Sequence, residues 1–220
     1  MSFCVIKFTR RATDVPLALF RDQTLHDARA RTSPAGCTGR AHSHADDRAY
    51  RHGDPAFDAV DEYMFDEIAA AQAWRSQTAA DGVPDARGVG SALTLLTRVL
   101  PVLPGGAPPE GLKHVELLKR RAGMGRVAFA AYWRDTHGPL AAALPMLRRY
   151  VQLPAEDSEY AQSQPRFDGV ALLWFDSIDT LREGARQPAF QRTRDDMTHF
   201  ADTAASTSLL TREIWSSSQD

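Results

Sequence analysis

This sequence predicts an α+β fold in which one βαββαβ unit is written twice in tandem. Three observations predict it: the chain aligns with itself, a proline- and glycine-rich segment divides the copies, and each copy alternates strand-like and helix-like patterns in one order.

The self-alignment is the first of these. Shifting the chain by 110 residues aligns 45–68 with 155–178 without a gap, and ten of the 24 positions are identical, where chance gives about two. The matches include Asp47/Asp157, Tyr50/Tyr160, Phe57/Phe167, Asp58/Asp168, Val60/Val170 and Phe65/Phe175, and the same shift pairs Arg10-Arg11 with Arg120-Arg121. Residues 104–111, Pro-Gly-Gly-Ala-Pro-Pro-Glu-Gly, cannot hold a helix or a central strand and read as a linker. The expected organisation is therefore a first repeat over 1–103, the linker, and a second repeat over 112–220.

In the second repeat, Lys113–Arg120 has a strand pattern, Arg126–His137 a helical one, Arg149–Leu153 a short strand, and Asp168–Phe175 an apolar strand with acidic ends. A helix over 178–201, interrupted near Pro188, precedes a last strand at Ser208–Trp215. The order is that of the ferredoxin-like motif. One such sheet leaves an apolar face open, and two placed face to face bury it, so the expected architecture is an intramolecular pseudo-dimeric α+β barrel.

Composition narrows the partners. A formal charge of −2 with interspersed signs offers no basic surface for nucleic acid. No apolar run reaches the length of a membrane span and the N-terminus is charged by Lys7, so the expectation is a cytoplasmic protein with no membrane partner. Cys4 and Cys37 lack the number and spacing of a disulfide framework or zinc site. His42 and His44 share a strand face but have no third ligand at a diagnostic spacing, so no metal site is expected.

Chemistry concentrates on the helix 126–137. Phe129, Trp133 and His137 recur every four residues and form one stripe. Gly138 reads as a left-handed cap and Pro139 as the stop, which places His137 at a helix C-terminus where a protonated imidazole is favoured. A histidine there suits general acid–base work, although a core histidine satisfied by a carbonyl fits the same pattern.

The segments Tyr132-Trp133-Arg134-Asp135-Thr136-His137-Gly138-Pro139-Leu140 and Asp168-Gly169-Val170-Ala171-Leu172-Leu173-Trp174-Phe175-Asp176, with Leu118–Met124 and Leu147–Gln152, resemble the EthD family over about 113–215. The resemblance implies a barrel made by two chains in ordinary members, and relatives that are cofactor-free cyclases, dehydratases, decarboxylases, lactone isomerases or haem binders. It places the family's recurrent histidine on His137. Phe129, Tyr132, Trp133 and Trp174 are the expected substrate-binding side chains, and Tyr150 and His114 further acid–base candidates.

The first copy departs from this pattern. Thr24 takes the helical position of His137, and His26, followed by Asp27-Ala28, reads as a surface residue. Glu62 stands where the family usually has an acidic residue and His44 near where it often has a histidine, so both join the candidate catalytic set. Of Asp61 and Glu62, successive on one strand, one is directed inward.

The resulting expectation is a lyase or isomerase without metal or organic cofactor, acting by acid–base chemistry on a small apolar, aromatic or polyketide-like carbonyl compound. The alternative is a non-catalytic barrel that holds a hydrophobic ligand or haem. A homodimer of the two-repeat chain is compatible with either.

Overall fold

The computed structural model describes residues 1–51, 53–78, 88–108, 111–161 and 163–218; part of the expected linker, residues 109 and 110, and His52 lie outside them. In chain order the elements are β1 (Phe3–Arg11), α1 (Leu17–Ala30), β2 (Cys37–Ala45), β3 (Ala59–Phe65), α2 (Ile68–Gln77), β4 (Val89–Arg98) and β5 (Leu100–Leu103). They continue with β6 (Leu112–Leu118), α3 (Arg126–Tyr132), a π-helical turn (Trp133–His137), α4 (Gly138–Ala142), β7 (Leu147–Pro154), β8 (Gly169–Phe175), α5 (Ile178–Ala185), α6 (Pro188–Met197) and β9 (Thr207–Ser218). The α+β class and the twofold βαββαβ order follow from this list.

Two compact units result: Met1–Arg98 with Leu209–Asp220, and Val99–Ser208. The sequence repeat and the packing unit thus differ at their ends. Residues 211–218 of β9 pair with β2 in the first unit, and β5 pairs with β7 in the second.

In the first unit β1 lies between β4 and β3, and β2 follows β3, all antiparallel. This 4-1-3-2 order is the ferredoxin-like sheet. Phe3, Val5, Tyr63, Phe65 and Leu96 alternate onto one face and pack on Ala71 of α2. In the second unit β8 lies between β6 and β7. Every residue of β8 is buried, and the strand has a neighbour on each edge. Leu118, Tyr150, Leu173 and Phe175 on the sheet meet Phe129, Trp133 and Phe200, forming the core beneath the helices.

One buried carboxylate recurs in each unit. Asp58 accepts the backbone N–H of Arg11 at 2.8 Å and the Tyr50 hydroxyl at 2.5 Å. Asp168 accepts the backbone N–H and Nε of Arg120 at 3.0 and 2.9 Å and the Tyr160 hydroxyl at 2.8 Å, with Lys119 Nζ at 3.1 Å. Each ties the end of the first strand to the short turn before the third. The structural counterpart of Arg120 is therefore Arg11, so on the first strand the offset is 109 and not the 110 expected from the Arg-Arg pairs. A residue less in the first repeat's N-terminal half accounts for the slip, and the hydrogen bond to the aspartate fixes the correct register.

The helix carrying His137 does not end there. Gly138 has φ −54° and ψ −56°, a right-handed conformation, and helix continues through Pro139 to Ala142. Proline needs room at the carbonyl four residues earlier, and the wide turn over Trp133–His137 makes it. Gly138 N–H reaches back five residues to the Trp133 carbonyl, which also accepts Gln152 Nε2 at 2.8 Å. The glycine is needed for closeness: a Cβ there would meet Gln152 Nε2 at 3.0 Å.

Removing the Asp168 carboxylate leaves the Arg120 guanidinium and the Tyr160 hydroxyl without their acceptor in a site where the aspartate is 1% exposed. Asp168→Ala is expected to cost about 3–5 kcal/mol, and Asp58→Ala a similar amount, measured as the loss in urea-unfolding free energy.

Candidate functional site

In the second unit the π-turn delivers His137 against α6. Its Nδ1 lies 2.8 Å from Asp196 Oδ2, and its ring packs on Phe200 with centroids 4.8 Å apart. Tyr132 donates its hydroxyl to Asp196 Oδ1 at 2.8 Å, and His199 Nδ1 stands 3.5 Å from the same oxygen. Burial works to raise the Asp196 carboxyl, but the hydrogen bonds from His137 and Tyr132 outweigh it and hold the group below the usual carboxylate range. An ionised carboxylate can only accept, so Nδ1 carries a proton, and in the neutral imidazole Nε2 presents its lone pair. That nitrogen has no hydrogen-bond partner among the described residues. The bond to Tyr132 raises the phenol in turn.

The helix C-terminal field expected at His137 is absent because the helix runs on to Ala142. What orients the imidazole is Asp196, 59 residues away in sequence. No local spacing rule could have found it.

Phe129 and Trp133 are buried in the core, as their stripe predicts. Trp133 Nε1 donates to the Tyr150 hydroxyl at 3.0 Å, and Gln152 Nε2 donates to the same oxygen at 3.0 Å. Tyr150 is 1% exposed, and burial pushes its phenol upward. It is thus a neutral hydroxyl held inside the core. Trp174 is buried with Lys113 Nζ 5.6 Å and the Arg149 guanidinium 4.5 Å from its ring. His114 Nδ1 is 3.5 Å from Glu116 Oε1.

Glu116 also lines a cavity of about 430 Å³ in this unit, with Leu118 from β6, Gln191, Arg194, Asp195, Met197 and Thr198 from α6 and its end, and Thr203, Ser206, Thr207 and Ser208 beyond. Such a volume suits a small-molecule ligand. His137 and Tyr150 do not line it; Asp196, the partner of His137, lies between two residues that do.

The first unit brings together residues that the sequence left apart. His42 Nδ1 lies 2.7 Å from Asp61 Oδ1, His42 Nε2 lies 2.8 Å from His44 Nε2, and the Thr24 hydroxyl of α1 is 3.0 Å from that same His44 nitrogen. The register makes this chain: His42 faces Asp61 across β2 and β3, and Asp61 faces Lys7 across β3 and β1. His44, two residues on, lies on the same face. Of the two successive acids, Asp61 meets the imidazole, while Glu62, 8% exposed, points to the opposite face of β3. Asp61 and Thr24 border a smaller cavity of about 40 Å³ together with Lys7, Thr9, Gln23, Asp27, Arg31 and Tyr63.

Burial above all, with smaller contributions from the nearby His42 and Arg21, pushes His44 down to about 3, against a weaker opposing pull from Asp61. His44 is accordingly neutral at neutral pH. Thr24 Oγ1 also lies 3.3 Å from the Arg21 carbonyl, to which its hydroxyl donates. Its lone pair then faces His44, so His44 Nε2 carries the proton shared with His42 Nε2. Among the described residues no group of three or more His, Cys, Asp or Glu side chains is arranged to hold a metal ion, and Cys4 and Cys37 are buried free thiols. His26 is exposed on α1, as expected.

Comparison with known proteins agrees with this architecture. The whole chain has the α+β fold of several solved structures. It is similar to an anthrone oxidase-like protein at 11% identity, covering 99% of this chain and 93% of that one with a TM-score of 0.70. It is similar also to a proposed monooxygenase from Lactobacillus acidophilus NCFM, at 10% identity, 99% and 96% coverage and a TM-score of 0.56. A haem-binding protein from Thermus thermophilus matches at 10% identity, 97% and 91% coverage and a TM-score of 0.55. More particularly, residues 121–204 match the EthD domain, within the span where the motifs resemble that family. No curated protein matches the sequence. No helix among the described residues is long and apolar enough to cross a membrane.

The depressed His44 has a measurable consequence. Unfolded, it takes up a proton as pH falls through about 6.5; folded, it resists until about 3. Between those values the unfolded chain binds more protons, so stability falls on acidification. His44→Gln is expected to flatten the decline in unfolding free energy between about pH 6.5 and 3.5 relative to the wild type, read from urea midpoints across that range.

Proposed function

We propose that the second unit is the active unit of a cytoplasmic, proton-transferring enzyme of the lyase or isomerase type, acting on a small aromatic or polyketide-like carbonyl compound. One observation carries this reading: His137 is held through Nδ1 by a carboxylate that stays ionised, and its Nε2 is left without a protein partner among the described residues. Fixing one ring nitrogen this way orients the other toward an incoming group. Dehydration, decarboxylation, cyclisation and isomerisation all use proton transfer beside a carbonyl.

The neighbouring groups support the assignment. Tyr132 shares Asp196 with His137 and steadies the carboxylate. The cavity of about 430 Å³ shares α6 with Asp196 and supplies Arg194 and hydroxyl side chains that can donate to carbonyl oxygens. Phe129 and Trp133 set the stripe that points His137, while Tyr150 braces Trp133 through its indole nitrogen. An anthrone oxidase-like protein shares the fold, and an anthrone is an aromatic carbonyl compound of the class proposed. The residues lining the cavity do not fit a haem: they offer no imidazole, thiolate or phenolate, and most are polar where a porphyrin needs apolar walls.

The test is turnover of a panel of anthrones and aromatic 1,3-dicarbonyl compounds, followed by absorbance. With a converted compound in hand, His137→Ala is expected to lower kcat by about 10²–10⁴-fold with the circular dichroism spectrum retained. Asp196→Asn is expected to lower it less and to shift the acid limb of the pH–rate profile. Unchanged turnover in a folded His137→Ala variant overturns the assignment.

A further inference from the structure

The first unit carries a second cluster that the EthD match, confined to residues 121–204, does not reach. It stands on observations separate from those at His137. Asp61, His42, His44 and Thr24 form a continuous hydrogen-bonded chain whose two ends, Asp61 and Thr24, both border one small polar cavity. The two imidazoles lie behind the wall, 1% and 6% exposed. Two imidazoles in series are costly to bury as mere packing, since each loses water on every side that the other does not replace.

The rest of the lining says what the cavity can take. Lys7 is half-buried beside Asp61, and its ammonium has no ion-pair partner among the described residues. Arg31 lines it from the end of α1, and Asp27 from the same helix. With Asp61 these give two cations and two anions, a balance in which two cationic side chains can meet a small anion. A volume of about 40 Å³ limits an occupant to a small molecule.

We propose that the first unit holds a separate proton-transfer site for a small 2-oxo carboxylate monoanion of three or four carbons. Arg31 pairs with the carboxylate, and Lys7 faces the 2-oxo oxygen. The Asp61 carboxylate takes a proton from the carbon next to the carbonyl. The electron pair of that C–H bond becomes the carbon–carbon double bond, and the carbonyl π pair moves to oxygen, giving an enolate beside the Lys7 ammonium. Returning a proton to the carbon reverses the step, with nothing oxidised or reduced. His42 and His44 are positioning residues: His42 donates its Nδ1–H to the Asp61 carboxylate and His44 fixes the tautomer of His42 through its Nε2, while the proton taken by Asp61 exchanges with water at the cavity it borders.

The site is tested with the full chain, using pyruvate as the substrate probe and oxalate as a mimic of its enolate. Proton NMR in D₂O is expected to show faster loss of the pyruvate methyl signal than in buffer. Asp61→Asn should slow that exchange at least about 10²-fold, and Asp61→Glu should keep part of it. Lys7→Met should weaken oxalate binding, measured by calorimetry, at least about tenfold. His42→Gln should slow exchange while leaving oxalate affinity unchanged, a split that a purely structural role would not give. Exchange in a folded Asp61→Asn variant equal to wild type overturns the proposal. So does the absence of exchange above buffer, whether or not oxalate binds.

Discussion

A buried aspartate at the start of the third strand of each repeat holds the local architecture in place. Asp58 and Asp168 each accept a backbone N–H from the end of the first strand and a tyrosine hydroxyl from the short turn before the third strand. A carboxylate removed from water must have every lone pair occupied, which is why the arginine and tyrosine recur with it. The tie fixes where β1 ends against β3 and where β6 ends against β8. Once that is set, the register places alternate side chains of each sheet under the helices, and the two chemical clusters follow from it.

The clusters use the two units differently. Lys7, Asp61 and His42 form one row across β1, β3 and β2, and the matching row across β6, β8 and β7 is Glu116, Ala171 and Gln152. In the first unit the sheet supplies the carboxylate and imidazole, and the helix only a hydroxyl, Thr24. In the second the helix supplies the imidazole, and another helix the carboxylate. Gln152, at the place of His42, has become a brace for the widened turn that aims His137. Duplication thus kept the frame and redistributed the acid–base groups.

How far this is legible beforehand depends on the range of the interaction. The identities of the repeat mark structural positions: Tyr50/Tyr160 and Asp58/Asp168 are partners in the buried ties, not site residues. His137 stands out through its helical stripe and its motif. Its partner Asp196 does not, because nothing in the spacing of α6 distinguishes it from Asp195 beside it. Pro139 reads as a stop since proline ordinarily ends a helix; the π-turn that lets the helix pass is a response to packing against Gln152. Asp61 and His42 are visible as polar residues on strands, but which of Asp61 and Glu62 turns toward the histidines depends on the pairing of β2 with β3.

By itself the sequence determined the repeat, the order of strands and helices, the EthD resemblance carried by residues 121–204 and the placing of one histidine on an inward stripe. These are properties of periodicity and of motifs contiguous in the chain, which local sterics and hydrophobic patterning enforce. The tertiary structure alone decided which carboxylate meets which imidazole, which hydroxyls are locked in the core and which side chains border a cavity. Hydrogen bonds reach about 3 Å, and residues brought that close by strand register or helix packing can stand anywhere along the chain.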